Sequence, residues 1–318
     1  MHISSRGRMA KACVSVRGGG WQARCGARSR SLKEHVMDTY PRLSALRLRV
    51  RHLAPLLRFY KEVVGLAAEH QSEAGQVALG GEGASPILKF EEAPDAPERP
   101  EHSAGLFHLA LRVPDRGALG GVLQRIEEAG YRLWGASDHR VSEALYLRDP
   151  GGHGLEIYRD RPEEEWPVGS DGRVQMETLA LDLEALRGEA NAGEAGEAPE
   201  IELGHVHLEV SDLAAMQRFC EVVLGMKERA RQPDAIFLAW GGYHHHIAAN
   251  VWRRCRLPAR PDALGLAAIC VAWETRAEVE AALQRAAGEH ALGVEAQLSQ
   301  GRVIGPDGIR WELASGAR

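Results

Sequence analysis

Apolar positions along this chain change their spacing in a regular, repeating way. From Leu46 to Leu66, LRLRVRHLAPLLRFYKEVVGL alternates apolar and charged residues, then shifts to helical spacing and stops at a glycine. Val206 to Met226, VHLEVSDLAAMQRFCEVVLGM, does the same, with Val50, Leu53, Phe59 and Gly65 falling on Val210, Leu213, Phe219 and Gly225. Alternation predicts a strand with one buried face, and the following spacing predicts an amphipathic helix closed by glycine. A second pair also matches. Leu106 to Gly130, LFHLALRVPDRGALGGVLQRIEEAG, resembles Leu264 to Gly288, LGLAAICVAWETRAEVEAALQRAAG. The segments end alike, in DPGGHGLEIY and GPDGIRWEL, which sets Glu156 against Glu312.

The chain therefore holds four strand–helix–strands units of about 50 residues, a length typical of structural repeats. They begin near Leu43, Gly105, Ile201 and Pro261. The expected class is α+β, with four βαβββ modules paired into two domains: residues 37–160 and 201–318, joined by a linker, 161–200, that carries a short helix. The linker's GEANAGEAGEAPE tail has a flexible composition. One such unit leaves a sheet face bare, so pairs of units must close over a shared core, and the cleft between them is the natural ligand site.

Candidate chemistry concentrates between Asp138 and Tyr158, DHRVSEALYLRDPGGHGLEIY, where His139, Tyr146 and Glu156 surround an Asp149-Pro150-Gly151-Gly152 turn. A carboxylate on an apolar strand is costly to bury unpaired, which favours a metal partner. Five residues before each strand-ending valine, the second and third units carry His108 and His205, while the first and fourth carry Ala45 and Leu266. Aligning Ile247 with Ile157 sets His246 at the Glu156 position in the third unit. If the second unit pairs with the third, His108, His205, Glu156 and His246 share one cavity. If the third pairs with the fourth, the set is His205, His246 and Glu312. Two imidazoles and one carboxylate leave an open face on an octahedral ion, an arrangement suited to Fe(II) enzymes that use oxygen. Zinc or nickel fits the same ligands.

Composition narrows the partners. The 318 residues carry a net charge of -5, which argues against nucleic acid. No apolar run approaches the roughly 20 residues of a membrane span. The five cysteines are scattered, without a CxxC pair, which fits a reducing cytoplasm. Residues 1–36 are basic and Arg/Ser-rich, and are expected to be a disordered extension. His52, His70, His102, His153 and His290 read as surface or loop residues. Trp240, Trp252, Trp273 and Trp311 read as core.

On His139, Leu145-Tyr146, Asp149-Pro150, Gly151-Gly152 and Glu156, the chain resembles the vicinal oxygen chelate superfamily. Within it, the spacing is most similar to the extradiol ring-cleavage dioxygenases of the short, glyoxalase-like catechol 2,3-dioxygenase type. Ser137 is a small departure from the pattern, and the resemblance covers about Leu43 to Leu313. It implies two glyoxalase/extradiol-dioxygenase-like domains and an Fe(II), with Mn(II) as the other candidate, held by His108, His205 and Glu156. It implies an acid–base histidine at His246 with His245 as its neighbour, and Tyr146 and His139 as donors to the substrate. The implied reaction joins a catechol and dioxygen into a ring-opened semialdehyde acid, in a cytoplasmic protein with no membrane or nucleic-acid partner that could form homo-oligomers. Two other readings stay open: a glyoxalase-like lyase or isomerase, and a metal-free small-molecule-binding protein.

Overall fold

The computed structural model describes residues 41–66, 68–71, 76–81, 85–190 and 200–316, the side chains of 68–71 excepted. The expected N-terminal extension, the linker tail at 191–199 and the His70 side chain lie outside the described residues. The repeat reads directly as structure. The first unit is β1 (Arg42–Val50), α1 (Leu53–Arg58) running on as a π-helical segment over Phe59–Val64, β2 (Ala68–Gln71), β3 (Val77–Gly80) and β4 (Leu88–Glu92). The second is β5 (Gly105–Arg112), α2 (Arg116–Glu128), β6 (Gly135–Asp138), β7 (Ser142–Arg148) and β8 (Gly154–Asp160). Between the halves come β9 (Leu179–Ala180) and α3 (Leu183–Glu189). The third unit is β10 (Glu202–Glu209), α4 (Leu213–Val222), β11 (Lys227–Gln232), β12 (Ala235–Ala239) and β13 (Ile247–Asn250). The fourth is β14 (Gly265–Trp273), α5 (Arg276–Ala287), β15 (Glu295–Gln297), β16 (Arg302–Ile304) and β17 (Arg310–Ser315).

Local chemistry sets the helix boundaries. Asp115, Asp212 and Thr275 sit at the N-caps of α2, α4 and α5 and accept from the first-turn N–H groups, Thr275 with Glu278 in a reciprocal capping box. The helix of the first unit ends at Gly65, whose φ of 104° is open to glycine but strained for other residues.

The strands form two sheets that cross the chain's halves. The eight-stranded sheet runs β15-β16-β17-β14-β1-β4-β3-β2, joining the first unit to the fourth. The nine-stranded sheet runs β11-β12-β13-β10-β5-β8-β7-β6-β9, joining the second unit to the third. The centre of each is an antiparallel pair, β1 with β14 and β5 with β10. The helices make the opposite connection. Arg125 on α2 donates to the carbonyls of Val63 and Val64 at the end of the first unit's helix. Arg285 on α5 does the same to Val222 and Val223 at the end of α4. A guanidinium on the last carbonyls of a helix also complements its dipole. Helices thus tie units within a half, strands tie units across halves, and one hydrophobic core runs through all four units. Cys220, Cys255 and Cys270 are buried free thiols. No described helix is long and apolar enough to cross a membrane.

Because each central strand finds its partner in the other half, residues 37–200 expressed alone leave β1 and β5 with bare edges. The expected outcome is that either half alone is insoluble or unfolded, whereas co-expressed halves copurify. A monomeric 37–200 fragment with a dispersed amide spectrum would contradict this topology.

Candidate metal centre

The site lies on the nine-stranded sheet, and strand register assembles it. On β5 and β10, Ala110 pairs with His205, and His108 pairs with His207. On β8, Glu156 lies beside Ala110 and Gly154 beside His108. On β7, Tyr146 lies opposite Glu156. One row across four strands therefore reads Tyr146, Glu156, Ala110, His205. The small Ala110 leaves room between the carboxylate and the imidazole. Gly154 lets β8 close against β5, since a Cβ there would lie 2.3 Å from the Phe107 carbonyl oxygen. Gly204, next to His205, is likewise required, because its Cβ would lie 1.9 Å from Tyr158 Oη.

Three ligand atoms converge. His108 Nε2 is 3.0 Å and His205 Nε2 is 3.1 Å from Glu156 Oε2, and the two Nε2 atoms are 3.4 Å apart. All three side chains are buried. Burial works to raise the Glu156 pKa, but the charges and hydrogen bonds of His205 and His108 outweigh it and hold the carboxyl well below the usual range. Burial lowers the His205 pKa despite Glu156, which favours the neutral imidazole that metals require. His205 Nδ1 has no hydrogen-bond partner among the described residues; the ring is instead set by packing against Tyr158 and His245, with centroids 5.1 and 4.1 Å away. Metal–ligand bonds of about 2.1 Å at right angles separate neighbouring donor atoms by about 3.0 Å. The donor set and its spacing fit a single divalent ion.

The surrounding groups are polar and fixed. His139 Nδ1 donates to the Glu177 carbonyl at 2.6 Å, so its Nε2 accepts from the Tyr146 hydroxyl at 2.7 Å. Burial and the Glu156 charge push the Tyr146 pKa well up, keeping the phenol protonated. The Asp149 carboxylate organises its turn by accepting from the N–H groups of Gly151 and His153, from the His153 ring, and from the Tyr60 hydroxyl of the first unit at 2.9 Å. His153, read from the sequence as a surface or loop residue, lies in this turn and is tied into it.

The histidine run before β13 is placed differently from the sequence expectation. His246 does not line the cavity. Its ring packs on Trp240 and Tyr243, its Nδ1 accepts from the Trp240 N–H at 3.3 Å, and burial lowers its pKa to about 3. Its supposed equivalence with Glu156 also fails on register. His207 on β10 pairs with Ala248, as Ala110 pairs with Glu156, so Ala248 and not His246 is the equivalent of Glu156. His245 is the member of the run that lines the cavity. Its Nδ1 is 2.8 Å from His244 Nδ1, and His244 Nε2 is 2.9 Å from Asp160. A carboxylate can only accept, so His244 Nε2 donates. With one proton on each ring, His245 Nδ1 then donates to His244 and leaves the His245 Nε2 lone pair free.

Sequence reasoning missed His207 and Trp252. His207 lines the cavity beside His108, and its Nε2 accepts from the Asn250 amide at 3.0 Å. Its signal was the spacing of two from His205 on a strand, which puts both on one face. Trp240, Trp273 and Trp311 are core, but Trp252 is exposed at the cavity. Glu312 belongs to the other sheet, where it pairs with Arg47 and accepts from Cys270 at 3.6 Å.

Comparison with known proteins agrees with this architecture. Residues 40–157 match the family model of the glyoxalase/bleomycin resistance protein/dioxygenase superfamily. The chain is 40% identical over 225 residues to a catechol-2,3-dioxygenase of Bacillus subtilis, covering 69% of this chain and 78% of that protein. It is 27% identical over 171 residues to biphenyl-2,3-diol 1,2-dioxygenase 3 of Rhodococcus globerulus, covering 52% of this chain and 89% of that one. Among solved structures, a putative dioxygenase from Bacillus subtilis superposes with a TM-score of 0.63 at 16% identity, covering 87% of this chain and 86% of that one. Glyoxalase I from Zea mays does so with 0.54 at 17% identity, covering 86% and 92%, a likeness of fold. The chain belongs to the glyoxalase/bleomycin resistance protein/dioxygenase superfamily, also called the vicinal oxygen chelate superfamily. The relatives named from sequence are dioxygenases.

Ala110→Leu would push a side chain between Glu156 and His205. Overpacking of this kind costs about 1–3 kcal/mol, so a folded but less stable protein is expected, with divalent-metal uptake reduced at least tenfold by calorimetric titration. Undiminished metal affinity would show that these two side chains do not share an ion.

Proposed function

We propose that this protein is an Fe(II)-dependent extradiol dioxygenase that cleaves a catechol with dioxygen to a ring-opened semialdehyde acid. The observation that carries the reading is the convergence of His108, His205 and Glu156 in a cavity whose wall also holds Tyr146, His139 and His245. The relatives at 40% and 27% identity support it. His108, His205 and Glu156 would hold the ion, with Fe(II) as the assignment and Mn(II) as the alternative for the same donors. When bound, Fe(II) supplies a Lewis acid for the diol and a redox partner for dioxygen.

The protein's own groups divide the remaining work. His245 takes a diol proton on Nε2, and the His244–Asp160 chain behind it fixes the tautomer that makes this atom a base. Burial, together with neighbouring imidazoles, pushes the His245 pKa well down, so the ring is neutral before substrate arrives. The Tyr146 phenol, placed by His139, faces the negative charge that develops on the substrate oxygen and can turn its one proton from His139 Nε2 to that oxygen. His246 is assigned to packing beneath Trp240. The reading remains cytoplasmic, and the partners are small molecules, with a homo-oligomer as the assembly to look for.

The direct test is anaerobic reconstitution with Fe(II), addition of catechol, and admission of air. A yellow ring-opened product is expected; no product from any catechol, with turnover of a thiol adduct of an oxoaldehyde, would favour the glyoxalase-like reading instead. His245→Ala should lower kcat by roughly 10²–10⁴-fold, the usual worth of a general base, with iron content retained. His246→Ala should mainly lower Tm. The reverse ranking of the two variants in kcat would return the base role to His246.

A further inference from the structure

We infer that the segment joining the two halves is a positioning element of the site: the Glu177 carbonyl, just ahead of β9, decides which nitrogen of His139 bears the proton, and so presents the Tyr146 oxygen to the cavity as an acceptor for the hydroxyl of a neutral diol. The diol rests on the catechol reading above; the hold on His139 does not. The sequence marks residues 161–200 as a connection with a short helix and assigns them no chemistry. In the structure Met176, Glu177 and Thr178 line the cavity.

Hydrogen-bond direction carries the argument. A carbonyl oxygen can only accept, so His139 Nδ1, 2.6 Å from the Glu177 oxygen, holds the proton. In the neutral ring Nε2 is then a lone pair, and the Tyr146 hydroxyl, 2.7 Å away, gives it the only proton it has. Tyr146 Oη keeps lone pairs alone for the cavity, and a group that meets it there must donate. A diol arriving with its hydroxyls protonated meets that requirement. Were Nδ1 released, the ring would be free to take the opposite tautomer. Nε2–H would then occupy the Tyr146 oxygen and turn the phenol proton toward the cavity, reversing what the site accepts.

The joining segment grips the His139 turn from two sides. Arg140, next to His139, has a φ of 68°, a left-handed conformation that non-glycine residues adopt reluctantly. Asp138 holds it by accepting from the Arg140 N–H at 2.8 Å. Arg161 pairs with the same carboxylate at 2.7 Å and donates its N–H to the Val141 carbonyl. On the other side, Leu179 and Ala180 pair with Asp138 and Ser137. That strand has two residues, both exposed, too few buried contacts to stay in place unaided. The anchor is α3, which follows it. Asp182 caps α3, Leu186 is buried, and Gly120 of α2 makes room for it, since a Cβ there would lie 2.5 Å from the Leu186 carbonyl oxygen. Arg187 with Glu127 and Arg116 with Glu189, at 2.8 and 3.1 Å, flank the contact. A helix docked on α2 thus fixes a carbonyl at the cavity wall.

The test reads the tautomer directly. Metal-free protein labelled with ¹⁵N-histidine is examined by long-range proton–nitrogen NMR at about pH 8, above the ordinary imidazole pKa of about 6.5, with His139→Gln assigning the signal. A single Nδ1–H tautomer is expected for His139; the Nε2–H form in the wild-type chain overturns the inference, whether or not any variant folds. Leu186→Asp, on α3 and outside the cavity, should unseat the segment, average the His139 signal and leave the other histidines unchanged. It should also weaken catechol binding roughly three- to tenfold, the worth of one hydrogen bond, in calorimetric titration of the Fe(II)-loaded chain under argon. Ser137→Cys with Ala180→Cys, neighbours across the ladder, should restore both on oxidation, in a chain with Cys13→Ser and Cys25→Ser. A retained Nδ1–H signal in Leu186→Asp overturns the role of the Glu177 carbonyl. Equal catechol affinity of the two chains, or none in either, overturns the acceptor role of Tyr146. Failure to turn over any catechol, with tautomer and affinity lost together in Leu186→Asp, supports the inference and defeats the dioxygenase reading alone.

Discussion

The register between β5 and β10 is the constraint on which the site depends. Side chains on a strand alternate between faces, so a slip of one residue would send His108 or His205 into the helix-facing core and bring Leu109 or Val206 to the cavity. Few local features hold that register. Leu109, Leu111, Val206 and Leu208 fill the core on the opposite face, and bulges at Gly204 and Phe107 let the long antiparallel pair keep its contacts while placing both imidazoles against Glu156.

Burying Glu156 would be unfavourable in an apolar sheet without compensation. The imidazoles of His108 and His205 provide it at 3.0 and 3.1 Å from the carboxylate, and burial lowers the pKa of His205 in turn. The same logic extends outward through Asp160, which is surrounded by His244, Tyr243 and Arg112. The burial of Asp160 acts to raise its pKa, yet these hydrogen bonds and charges hold it lower. Each buried carboxylate on β8 is thus matched by donors from the third unit. The polar network joins the second and third units on the same surface that carries the candidate chemistry.

Much of this was legible in the sequence, and the physical reasons are specific. The repeat was visible because period-two and period-3.6 patterns follow one another four times, each closed by glycine. His108 and His205 stood out through their equivalence in the repeat, and Glu156 through its place on an apolar strand. The histidine run was not legible. Three consecutive identical residues carry no alternation, and aligning isoleucines shifted the frame by two residues relative to the actual pairing with β10. The bulge at Phe107, which the pairing skips between Leu106 and His108, was hidden for a related reason: a bulge has no reliable signature in a strand whose neighbours are apolar or histidine. The pairing of units was open until the central strands were seen side by side.

The hydroxyl of Tyr60 bears on how the unit without ligands contributes. It reaches from the π-helical segment of the first unit to Asp149, directly after the strand that carries Tyr146 and before the one that carries Glu156. A module that adds no side chain to the His108–His205–Glu156 cluster therefore acts as a splint for the hairpin that carries Glu156. Such a module answers for its neighbour's alignment, and a shift in its helix would be felt as misplacement of Glu156 against His108 and His205.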